Sequence, residues 1–193
     1  FLLFIPPLLG EMLSGSAPPA EWLNPVGALI MVGFCGCGTI LIREFKARWC
    51  LQWSVIFLAV AYGIIEEGIM MQSFFNHNHE DLGKLAGYGM LFGIQWPWTI
   101  MLIIYHATIS TLIPIKMAEC LWPEYKQRPL LGKRGLILVF LGFLLLTILI
   151  MVFIWAVGPS TYTGVAQTIT SAIANFINKS SISSFCTHCP GVF

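Results

Sequence analysis

Charge is what this sequence has least of. Its 10 Lys and Arg and 9 Asp and Glu make up 10% of 193 residues, and they nearly cancel to a formal net charge of +1. Soluble domains carry about 25% charged residues, so that class is excluded and an integral membrane protein is left. Near-neutrality also removes the electrostatic footprint that a nucleic-acid partner requires, and no nucleic acid is expected. The sequence has no repeat of solenoid period and no linker that would divide it, so residues 1–193 read as a single integral membrane domain. No charged n-region, apolar h-region and cleavage site can be picked out. The chain opens on Phe1 inside an apolar run, which points to a truncated N-terminus.

What fills the sequence instead is apolar: 57% of the residues are hydrophobic and the mean hydropathy is +0.80. Four segments have the roughly 20 residues needed to cross the hydrocarbon layer: Pro25–Ile42, Leu51–Met71, Gly93–Pro114 and Gly135–Val157. Phe1–Leu13, with Pro6–Pro7, reads as a fifth segment, either the end of a span or a re-entrant piece. Val165–Ile177 places Val165, Ile169, Ile173 and Ile177 on one face and reads as an interfacial helix. The expected fold is all-α, a polytopic transmembrane helical bundle with about five membrane segments. Gly135–Val157, apolar apart from Thr147, should face lipid. Gly33, Gly36 and Gly38 should let neighbouring backbones come close.

Basic residues fall in alternate loops. Arg43, Lys46 and Arg48 share one; Lys116, Lys126, Arg128, Lys133 and Arg134 share another; the stretches between hold only Lys84, and the tail only Lys179. By the positive-inside rule, loops 43–50 and 115–134 are cytoplasmic and the C-terminal tail lies on the opposite side.

Against this background Glu66 and Glu67 stand out, adjacent carboxylates inside an apolar span. Placing one acidic residue at a helix centre costs about 2.5–3.5 kcal/mol even on lenient scales, so both require partners inside the protein. On an α-helix they point about 100° apart, which predicts different tasks: one carboxylate in a site, the other tied to a group such as the Tyr62 hydroxyl. His106, with Thr99 and Ser110 on its polar stripe, comes to similar depth on the antiparallel neighbour, and Glu11 approaches from the N-terminal segment. Three carboxylates and an imidazole can activate water as a general base with a proton-carrying partner. They can hold a divalent metal such as zinc, for which Glu67 and His106 are the candidates. They can also relay protons or bind a coupling cation, or simply lock helix register.

The pair Glu66–Glu67 on one span and Leu102-x-x-x-His106 on the next, followed by His106-x-x-x-Ser110, resembles the CAAX-protease and bacteriocin-processing family of intramembrane proteases. That family carries Glu-Glu-x-x-x-Arg, Phe-x-x-x-His and a further His motif. Here Met71 stands where the Arg would be, Leu102 replaces the Phe, and no later span supplies another His. The resemblance implies that Glu66 or Glu67 activates water, that His106 assists, and that the substrate is a peptide in the membrane.

Three readings follow: a membrane-embedded hydrolase using Glu66, Glu67 and His106, with Glu11, Ser110 and Tyr62 as binding groups; a proton- or cation-coupled transporter or channel subunit; or a structural subunit paired with a membrane protein partner. All three share the lipid bilayer as surroundings. Lesser features are the loop with His77, His79, Glu80 and Asp81, the Cys186–Cys189 pair and the sequon Asn178–Ser180. Cys35 and Cys37 point to opposite helix faces and read as packing residues. Arg43 and Lys46 read as interfacial anchors, Glu44–Arg48 as a helix-end pair, and Trp49, Trp53, Trp96, Trp98 and Trp122 as an aromatic belt.

Overall fold

A chain this apolar has to satisfy its backbone hydrogen bonds within itself, and helices do so locally. The computed structural model describes residues 1–17, 19–76 and 80–157. α1, Ile5–Pro7, runs into a π-helical turn, π1, Leu8–Met12. α2, Pro19–Leu23, precedes α3, Pro25–Arg48, whose start is capped by the Asn24 side chain accepting from the Val26 amide, with Pro25 at the first helical position. α4, Val55–Gly63, continues as π2, Ile64–Met70. α5, Trp96–Tyr105, π3, His106–Leu112, and α6, Ile113–Leu121, form one rod, and α7, Lys133–Val157, follows. A small antiparallel hairpin, β1 Met90–Leu91 and β2 Ile94–Gln95, leads into α5.

Among the described residues three helices, Pro25–Arg48, Trp96–Leu121 and Lys133–Ile154, are long and apolar enough to cross a membrane, where about five membrane segments were expected. The expected span Leu51–Met71 is helical only from Val55, because Cys50 adopts a left-handed conformation (φ 51°) and Leu51 folds back onto the Lys46 carbonyl. Phe1–Leu13 forms short helical turns rather than a span. Val165–Ile177, Asn178–Ser180, Cys186–Cys189, His77 and His79 lie outside the described residues.

The first long helix passes through what the sequence suggested was a loop. Arg43, Lys46 and Arg48 sit on its last turns, since nothing breaks the helix before Cys50. Helix likewise continues beyond Pro114. A proline lacks the amide that an α-helix interior needs, but here it follows the wide π3 turn, in which the Ile113 amide reaches the Thr108 carbonyl.

α3 is the hub. Gly33 faces Leu146 of α7, Gly36 faces the Leu3 backbone, and Gly38 faces the Tyr62 ring, so α7, the segment before α1 and α4 approach through the three glycines. Phe34 stacks on Phe143 with centroids 5.0 Å apart and on Tyr62 at 5.8 Å. α7 keeps most of its spanning surface exposed, as expected of a lipid-facing helix, while Thr147 turns inward and donates to the Phe143 carbonyl. Trp98 departs from the belt pattern: it is buried with Phe74, Leu82 and Leu102, packing the loop after π2 against α5.

At the far end of α3 the charged residues are not loose anchors. Glu44 is fully buried and gathers the Arg43 guanidinium at 2.7 Å, the Arg48 guanidinium at 3.6 Å, and the amides of Leu130 at 2.8 Å and Leu131 at 3.3 Å. Lys46 pairs with Glu119 of α6, and Arg43 and Arg48 donate to the carbonyls of Tyr125 and Leu131. These contacts bring the two basic segments to one end of the bundle.

Two stability outcomes follow. A Cβ at Gly36 would lie 2.7 Å from the Leu3 carbonyl oxygen, so Gly36→Ala should lose about 1–3 kcal/mol in thermal or denaturant unfolding in detergent, while Gly142→Ala, with open space around it, should not. Glu44→Ala leaves buried Arg43 without its carboxylate and should cost about 3–5 kcal/mol in the same measurement.

Candidate functional site

The intramembrane carboxylates and His106 meet, and each comes from a π-helical turn. Glu11 lies in π1, Glu66 and Glu67 in π2, and His106 opens π3. The wide turns are marked by amides reaching five residues back: Leu13 to the Leu8 carbonyl at 3.0 Å, Met71 to Glu66 at 2.8 Å. Such turns are rare and concentrate at functional sites, because one extra residue per turn re-aims the side chains around it.

Gly63 of α4 and His106 are in close register, a Cβ at Gly63 falling 3.3 Å from the His106 Cβ. The small face of α4 thus admits the histidine between the two glutamates. Its Nδ1 lies 2.7 Å from Glu66 Oε2 and its Nε2 lies 2.9 Å from Glu67 Oε1. The expected tie of one carboxylate to the Tyr62 hydroxyl is present at Glu66, but the expected division of tasks is corrected, because both carboxylates also meet His106. The π2 turn and the two edges of the imidazole let both address the same ring, one at each nitrogen.

The supporting contacts differ between the two. Glu66 Oε1 accepts from the Tyr62 hydroxyl at 3.2 Å and from the Cys35 thiol at 3.6 Å. Glu67 Oε2 accepts from Ser73, which also meets the Glu67 carbonyl through its own amide at 2.9 Å. Ser110 Oγ is 3.3 Å from His106 Nδ1. The side chains of Glu66 and His106 are 5% and 4% exposed, whereas that of Glu67 retains 14%, so Glu67 is the more open of the two glutamates.

Glu11 completes the group. Ligand atoms of Glu11, Glu66 and His106 all lie within 4.8 Å of one another. Gly10 makes this approach feasible: a Cβ there would sit 2.5 Å from Ser110 Oγ, so a larger residue would have to displace the Ser110 side chain. Tyr105 secures the same segment by donating to the carbonyls of Leu9 and Gly10 at 3.1 and 3.0 Å. All six residues named from the sequence (Glu11, Tyr62, Glu66, Glu67, His106 and Ser110) therefore fall in one site. Gly10, Cys35 and Ser73 were missed. Gly10 beside Glu11 and Ser73 just past the pair were visible signals, but nothing in the sequence marked Cys35, which was read as a packing residue.

The profile of an uncharacterized membrane protein family matches residues 1–177. The chain belongs to that family. The family's description names neither an activity nor the intramembrane proteases that the motifs resemble. No curated protein and no solved structure matches the chain.

Removing the imidazole would leave two carboxylates facing each other in a buried site. His106→Ala should therefore lose about 3–5 kcal/mol in unfolding measurements. Adding Glu66→Gln and Glu67→Gln should recover part of that loss, giving a coupling energy of about 0.5–3 kcal/mol in a mutant cycle.

Proposed function

We propose that this protein is a membrane-embedded hydrolase that cleaves a peptide bond within or at the edge of the bilayer. The observation that carries the reading is the imidazole held between two carboxylates, with a third carboxylate within 4.8 Å. Glu67, itself held by Ser73, accepts from Nε2 and so fixes the ring with its Nδ1 edge against Glu66, and Glu11 completes the set within 4.8 Å. Water activated on that face gives up a proton to the carboxylate–imidazole set. Its oxygen adds to the substrate carbonyl carbon, the C–N bond breaks, and the stored proton goes to the departing amine. Buried surroundings strengthen such charge-assisted contacts by lowering the local dielectric.

The site stands well away from the basic end of the bundle. Glu66 is roughly 16 Å along the helix from Val55, and His106 roughly 20 Å from Glu119. With the basic end cytoplasmic, as the positive-inside rule predicts, cleavage would occur in the outer half of the membrane.

Reconstitution into liposomes with a panel of single-span peptides, and mass spectrometry for new N-termini, tests the reading. Cleavage should fall by at least 100-fold in Glu67→Gln while the unfolding temperature stays within a few degrees of wild type. A Glu67→Gln variant that cleaves normally, or a wild type that cleaves no peptide but shows pH-dependent ion flux, would overturn the reading in favour of a structural or transport role.

A further inference from the structure

We propose that Glu11, Glu66 and His106 are ligands of a divalent transition-metal cation, for which zinc is the best match, and that Glu67 orients the histidine for it. The proposal deepens the hydrolase reading but rests on observations of its own. Glu66 Oε2 is buried and accepts no hydrogen bond among the described residues, although its partner oxygen has two donors. It lies 2.7 Å from His106 Nδ1, but the pair lacks hydrogen-bond alignment. A carboxylate oxygen and an imidazole nitrogen that converge without a well-placed hydrogen are arranged as two ligands of a common cation are.

The other ring nitrogen supports the same assignment. A metal-bound histidine characteristically gives its second N–H to a carboxylate, which sets the tautomer and the ring plane. The 2.9 Å contact from Nε2 to Glu67 Oε1 supplies that link, and Ser73 in turn holds Glu67. Charge points the same way. If all three carboxylates are ionised, a divalent cation cancels two of their charges in this apolar setting, whereas a ring proton cancels only one.

The donor set is two carboxylate oxygens and one imidazole nitrogen, three protein ligands in all. That number leaves a fourth, open position, as in catalytic zinc sites, where bound water is acidified to a pKa of about 7. Bonds of about 2.0 Å place tetrahedral ligand atoms about 3.3 Å apart, so the 4.8 Å spread needs only side-chain closure. The close packing of Gly10 on Ser110 and the two bonds from Tyr105 hold the Glu11 backbone in place for that closure.

The test uses the full chain in nanodiscs, with His77, His79, Cys186 and Cys189 replaced by Ala or Ser to remove the other donor-rich segments. After chelator treatment, zinc is titrated by calorimetry and cobalt by its visible absorption. One saturable equivalent is expected, with an unfolding temperature that rises with zinc. Glu11→Gln and Glu66→Gln should each weaken binding by at least tenfold, and Glu67→Gln by about 10–100-fold. The exposed Glu124→Gln control should bind as wild type. If Glu66→Gln does not fold, Glu11→Gln carries the same comparison. The proposal fails if that background binds no equivalent, or if Glu11→Gln binds as tightly as wild type. Bound cation without peptide cleavage would sink the hydrolase and keep the metal site; cleavage with no bound equivalent would do the reverse.

Discussion

The contacts of one imidazole with two carboxylates set the terms for the rest of the structure. An unpaired acidic side chain in hydrocarbon costs several kcal/mol, and this chain places two in succession. That penalty is escaped only if His106 arrives at the same depth, between them, with both ring nitrogens in reach. Gly63 provides the clearance on α4, the π2 turn spreads the pair around the ring, and the π3 turn lets the next helix carry His106 inward and still continue past Pro114. Loosening any of these would leave a buried charge without its partner.

The opposite end of the bundle solves a related problem with different chemistry. Glu44 is as buried as Glu66, yet it is surrounded by donors: two guanidinium groups and two backbone amides. Lys46 and Glu119 are paired beside it. Both Glu44 oxygens are saturated with donors, and these contacts tie the segment after α6 to α3. The His106 end holds more carboxylates than basic groups and one oxygen that accepts no hydrogen bond among the described residues. A saturated network holds helices together, whereas an excess of acceptors invites a proton or a cation. The same contrast explains why charged residues at one end read as structure and at the other as chemistry.

Much of the site was legible because charge is so scarce. With 10% charged residues, Glu66, Glu67 and His106 had few competitors for notice, and antiparallel helices of similar length bring them to one depth. Glu11 and Tyr62 followed from position and helical face. Less legible were Arg43, Lys46 and Glu119, since a basic run beside an apolar stretch looks the same whether it is solvated or paired. Trp98 was misplaced for the same reason: a tryptophan near a span end fits an interfacial belt, but the loop containing Phe74 and Leu82 covers it.

The sequence by itself determined that the chain is apolar and helical, that its acidic residues within spans need partners, and that small residues mark close helix contacts. These are consequences of composition and period, which need no knowledge of neighbours. Only the tertiary structure decided which nitrogen meets which carboxylate, that three π turns carry the site, and that Leu51–Met71 begins its helix late. Hydrogen-bond register and ring orientation depend on segments distant in the chain, and a local pattern cannot encode the angle at which they meet.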